Sequence, residues 1–163
     1  MKKVFFACVL IALFVVALNM GIALAADPDL RVTELLVNDS GATGIMIIIT
    51  DVTRNIGTAD AEAESITGYY LKPALPGVCA GQNTVYSGKI LLAKRIVPEL
   101  SAGEANMGTN YVKIPKKSVL LGKGWPVPGC YYIMAVADAL KYITEIKEGN
   151  NTRKSLFSVG ELY

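Results

Sequence analysis

The densest run of groups able to do chemistry lies towards the C-terminus: Asp138, then Glu145, Glu148, Asn150 and Asn151. Calcium takes several oxygen ligands of this kind at once. The same side chains also serve turns, where short carboxylates and amides accept nearby backbone N–H groups. The spacing is not that of an EF-hand loop, whose ligands recur at alternate positions around a central glycine. Nor do Glu145 and Glu148 suit a glycosidase acid and base, because two residues of one short segment do not readily flank a sugar from opposite sides. A calcium site and a hydrogen-bonded turn are both open on this spacing.

Three cysteines occur, and Cys8 sits inside an N-terminal apolar run. That leaves Cys79 and Cys130, and an even number in an exported chain predicts one disulfide between them. Closing a loop of roughly 50 residues is worth about 4 kcal/mol as a ceiling. A metal or reactive-thiol reading lacks partners, since the chain has no histidine.

Aromatic groups offer a third kind of chemistry. Tyr69, Tyr70, Tyr86, Tyr111, Tyr131, Tyr132 and Tyr142 could form a carbohydrate platform together with Trp125, although core packing accounts for most tyrosines in a β domain. Tyr131 or Tyr132 suits a corner tyrosine whose hydroxyl binds backbone. Trp125 stands between glycines and prolines in Gly122-Lys123-Gly124-Trp125-Pro126, which predicts an exposed loop-tip aromatic. It is the candidate binding residue, together with the loop around Cys79.

Much else is excluded. No nucleophile motif is present, and Ser87-Gly88-Lys89 and Gly122-Lys123-Gly124 lack the strand-to-helix setting of a phosphate loop. No catalytic residue, metal ligand set or cofactor is therefore assigned. The net charge of +2 belongs wholly to Lys2 and Lys3. Beyond them 14 acidic side chains are matched by as many basic ones, so charge favours neither nucleic acid nor an anionic membrane.

The elements that hold these groups follow from patterning. Residues 1–25 read as a secretory signal peptide: Met1-Lys2-Lys3, an apolar run from Val4, and an Ala23-Leu24-Ala25 cleavage site. Cleavage predicts a secreted product, periplasmic or at the cell surface, whose mature form is not membrane-embedded. Residues 26–163 read as a single all-β domain with no sustained helical period.

Strands are expected at Leu30 to Val37 with a slip near Glu34, Ile45 to Thr53, Ser65 to Lys72, Lys89 to Val97, Asn110 to Pro115, Cys130 to Asp138 and Lys154 to Val159. The run Ile45-Met46-Ile47-Ile48-Ile49 is too apolar for a half-solvated strand and predicts a central, covered position. Asn38-Asp39-Ser40-Gly41 reads as a turn and Lys116 to Trp125 as a connection. Pro73 to Gly88 reads as a long loop tied down by the disulfide. Lys94-Arg95 and Lys116-Lys117 read as pairs that mark a solvated surface or a guarded sheet edge. Seven such strands predict an immunoglobulin-like antiparallel β-sandwich.

Several pieces, in this order, resemble the bacterial cell-adhesion-related domain CARDB, an immunoglobulin-like module of exported proteins. They are Pro28-Asp29-Leu30, Asn55-x-Gly57, Leu100-Ser101-Ala102-Gly103-Glu104, Pro128-Gly129-x-Tyr131-Tyr132, Val136-x-Asp138, and Glu145-x-x-Glu148-x-Asn150-Asn151. Gly57 and Gly103 are expected to take positive φ. The resemblance implies that the Glu145 to Asn151 cluster is a fold signature rather than a cation site. It departs from the family in its apolar second strand and in the longer loop that holds Cys79.

The implied function is an exported, non-enzymatic interaction or adhesion module that binds protein or glycan at the cell envelope. Alternatives are a carbohydrate-binding module using exposed aromatics and a calcium-dependent binding domain, with a hydrolase or inhibitor last.

Overall fold

The computed structural model describes residues 26–161. The expected signal peptide and Cys8 lie outside the described residues. Eight strands and one short helix follow in the order β1 (Leu30–Val37), β2 (Ser40–Ala42), β3 (Met46–Asn55), β4 (Ser65–Pro73), β5 (Ile90–Val97), β6 (Ala105–Lys113), α1 (Lys117–Gly122), β7 (Gly129–Val136) and β8 (Thr152–Gly160). They form two sheets, β1-β3-β6 and β2-β8-β7-β4-β5.

Period-two alternation explains how the sheets close on each other. Leu30 and Val32 of β1, Ile47 and Ile49 of β3 and Val112 of β6 face the core from the smaller sheet. Tyr69 and Leu71 of β4, Tyr131, Ile133 and Ala135 of β7, and Phe157 and Val159 of β8 face it from the larger one. The slip near Glu34 is a register shift between Val32 and Glu34, after which β1 again pairs with β3. A fold of this kind, an all-β sandwich, is what the alternation predicts.

Four local expectations are corrected. Ser40–Ala42 is a strand, paired in parallel with the chain end at Ser158, Val159 and Gly160. It was hidden because three residues with turn chemistry carry no alternation. Lys117–Gly122 is a helical turn that buries Leu120. β6 starts at Ala105, where Asn106 and Gly108 hide the strand pattern. The apolar run of β3 is central in its sheet, yet only one face is covered: Met46 and Ile48 are exposed, whereas Ile47 and Ile49 are buried.

The turn glycines also divide. Gly103 has φ +81°, as expected. Gly57 does not; a Cβ there would overlap the backbone of Asp27 to Asp29, so this glycine serves close approach of two chain segments. Among the described residues no helix is long and apolar enough to cross a membrane.

Candidate functional site

The Glu145 to Asn151 segment returns from β7 to β8 and packs on the start of β1. Leu30 N–H donates to Glu145 Oε2 at 2.5 Å, and Asn151 Nδ2 donates to Glu145 Oε1 at 2.8 Å. Asn150 Nδ2 donates to both carboxylate oxygens of Asp29, at 2.9 and 3.2 Å. Asp138, at φ +40°, accepts the backbone N–H groups of Tyr142 and Ile143. Glu148 stands apart and reaches Lys141 at 3.2 Å on the surface.

The cluster is thus a clasp in which each buried carboxylate already accepts N–H donors. Such bonding suits turn chemistry better than a cation cage, and among the described residues no three Cys, Asp or Glu side chains converge as ligands. Burial pushes the Glu145 carboxyl up to about 7, against the opposing pull of the Leu30 and Asn151 donors, with Asp138 and Glu148 adding to the rise. Among the described residues, Asn150 Oδ1 and Asn151 Oδ1 have no hydrogen-bond partner.

Asn55 completes the same end of the sandwich. Its Oδ1 accepts Asp29 N–H and Gly57 N–H, and its Nδ2 donates to the carbonyls of Ala59 and Leu100. The residues shared with the CARDB pattern therefore hold four chain segments together at one end, which is a structural task.

Trp125 corrects the expectation of an exposed aromatic. It is 2% exposed, packs with Tyr131 at a ring separation of 6.0 Å, and donates Nε1–H to Ser87 O. Glycine and proline flanks signal the bend correctly but not its depth. Tyr131 is the corner tyrosine, its hydroxyl donating to Pro126 O. Burial, and secondarily Tyr86, hold its pKa well above the ordinary phenol range. Among the described residues the exposed aromatics are Tyr111 on β6 and Tyr142 on the β7–β8 connection.

The loop after β4 builds a concave surface. Strand register aligns Ser40, Ser158 and Cys130 across β2, β8 and β7, so the three share the outer face of the larger sheet. Cys79 is disulfide-bonded to Cys130, with Cα atoms 6.3 Å apart, which clamps the loop onto that row. Gln82 reinforces the clamp from inside: its Nε2 donates to Ala74 O at 2.8 Å, and its Oε1 accepts Cys130 N–H at 3.1 Å. Nothing in the sequence distinguished Gln82 from other loop amides. Between loop and sheet lies a cavity of about 670 Å³ whose lining includes Ser40, Asn83, Thr84, Tyr86, Pro126 and Ser158.

A second polar group was missed as a unit by sequence reasoning. Arg95 of β5 crosses the open side of the sandwich to Asp51 of β3, with Nη2 to Oδ2 at 2.7 Å and Nε to Oδ1 at 3.0 Å. The Tyr69 hydroxyl also donates to Asp51, and Asn106 Oδ1 accepts Arg95 Nη1–H at 2.5 Å. Arg95 is therefore not solvated, which corrects the solvated-surface reading of Lys94-Arg95, although β5 does lie at a sheet edge. Burial alone would lower the guanidinium pKa, but the Asp51 and Tyr69 contacts outweigh it and raise it. With every partner engaged, the group acts as a cross-sheet tie.

Neither a protein-family model nor a curated protein matches this chain. Solved structures do. A crystal structure of the CARDB domain of a Pyrococcus furiosus protein, in complex with di-metal ions, aligns over 84% of this chain and 97% of that one, at 19% identity and a TM-score of 0.55. A solution structure of the same domain gives 18% identity and a TM-score of 0.54 over 83% and 97% of the two chains. A region of β-glucosidase 3B from Thermotoga neapolitana aligns at 17% identity and a TM-score of 0.48, covering 16% of that enzyme. The sandwich is CARDB-like in fold.

Proposed function

From a CARDB-like sandwich, we propose an exported, non-enzymatic interaction module that works at the cell envelope, where it binds protein or glycan. The observation that carries this reading is the cavity between the 79–86 segment and the β2-β8-β7 surface. It is concave, its loop is held at Cys130 by a disulfide and by Gln82, and its size falls within the roughly 300 to 1,000 Å³ of ordinary ligand sites. A loop of this length is uncommon unless functional or constrained, and here the disulfide offsets part of the entropy lost in ordering it. The disulfide suits an oxidising compartment, in agreement with the signal-like N-terminus.

The non-enzymatic part rests on the polar groups. Asp51, Tyr69, Arg95, Glu145 and Asp138 are all committed to backbone or to one another, and none lines the cavity. A carbohydrate platform of exposed aromatics loses Trp125, its principal member, to the core.

The test is co-sedimentation of the oxidised protein with envelope fractions. Ser158 is exposed on the cavity floor, so Ser158→Arg obstructs the site without touching the core. Retention of the wild type and loss of the variant support the reading. Equal retention of both, or none by either, contradicts it.

A further inference from the structure

We infer that the cavity under the disulfide-bonded loop takes a neutral carbohydrate, an uncharged saccharide of a few units. The inference rests on the interaction-module reading and names the ligand class of that same site.

Charge decides first. The chain is 18% charged, yet no residue lining the cavity carries a charge. A phosphate, a carboxylate or an amine would enter without a counter-ion and lose hydration that nothing replaces. Uncharged ligands are selected by default.

Hydrogen-bonding capacity decides second. Ser40, Asn83, Thr84 and Ser158 line the cavity and are exposed, and among the described residues their side chains form no hydrogen bond with the protein. Hydroxyls and amides both donate and accept, which matches the dual character of sugar hydroxyls. Gln82, by contrast, spends its amide on Ala74 and Cys130, so it shapes the wall and is not a contact group. Tyr86, Pro126 and Pro128 supply the apolar surface against which the C–H face of a pyranose can lie.

A peptide fits less well. Adding a strand requires a long free edge, and β2 offers three residues. Gly81 and Gly160 add no side chain to the walls of the cavity. At Gly129 a Cβ would meet Pro126 and Tyr131, so this wall is fixed rather than incidental.

The test is an NMR titration of the oxidised, isotope-labelled protein with neutral tetrasaccharides: β-glucan, α-mannan and chitin fragments. Oligogalacturonate serves as the charged control, and an uncharged Ala-Ser-Gly-Thr tetrapeptide as the extended-chain control. The expected result is saturable shifts at Ser40, Asn83, Thr84 and Ser158 with at least one neutral saccharide. In Ser158→Arg and in Asn83→Ala/Thr84→Ala the affinity falls by about tenfold or more, with midpoints of unfolding unchanged. Preference for oligogalacturonate overturns the inference. So does binding of the peptide alone, which would leave the interaction-module reading standing. If no saccharide or peptide binds while wild-type envelope retention still depends on Ser158, the carbohydrate inference fails by itself; if that retention is also lost, both fail.

Discussion

Gly108 of β6 leaves the space that the Arg95 side chain fills: a Cβ at 108 would overlap Arg95 Cδ and Nε. A glycine in one strand thus admits the guanidinium of another to the Asp51 carboxylate on β3. Removing Asp51 strands a charge that is 10% exposed, and breaking such a pair costs about 3–5 kcal/mol. Urea unfolding of Asp51→Ala should show that loss. Gly108→Ala should lose about 1–3 kcal/mol by displacing Arg95. A loss under about 1 kcal/mol for Asp51→Ala would mean that Arg95 is solvated after all.

Stability should rise as pH falls from 8 towards 5. The folded-state pKa of Glu145 is about 7 against an ordinary 4.5, a raised value. Its contribution is therefore fully present below about 4.5 and is lost as pH climbs through about 7. The amplitude is about 3 kcal/mol as an upper figure. Glu145→Gln should flatten that slope. It should also be tolerated at pH 8, because the new amide can donate to the partnerless Asn151 Oδ1 after that side chain turns. A variant with the wild-type slope would show that another group titrates.

Calcium at millimolar concentration should leave the unfolding midpoint where it is. The carboxylates of Asp29, Asp138 and Glu145 already accept N–H donors, and recruiting them to a cation would break the clasp on β1. A calcium-dependent rise in Tm that Glu145→Gln abolishes would contradict this.

Reduction of Cys79–Cys130 should cost up to about 4 kcal/mol and loosen the loop, without unfolding the sandwich core. Intact mass before and after reduction checks the bond itself. Trp125→Ala should cost about 3–5 kcal/mol, as for a buried aromatic. Its effect is read by thermal unfolding, and an unchanged midpoint would return Trp125 to the surface.

What was legible in the sequence was what local chemistry fixes. Alternation in β1, β4 and β7 gave those strands nearly to the residue, and the kink at Glu34 gave the register shift. Cysteine parity pointed to the disulfide, and the corner tyrosine was narrowed to Tyr131 or Tyr132, of which the structure selects Tyr131. The Asp51–Arg95 tie joins residues 44 positions apart on strands of different sheets, so no local pattern announces it. The cavity is hidden for the same reason: Ser40, Thr84 and Ser158 are unremarkable polar residues until β2 and β8 pair in parallel and the disulfide draws the loop over them.

The central claim, that this sandwich binds its envelope ligand under the disulfide-bonded loop, is tested most directly by mapping the contact. Amide shifts of the labelled protein are followed as solubilised envelope material is added. Perturbations are expected at Ser40–Ala42, at Asn83 and Thr84, and at Ser158. Perturbations confined to the exposed outer face of the smaller sheet, at Met46, Ile48, Met107 and Tyr111, would contradict it.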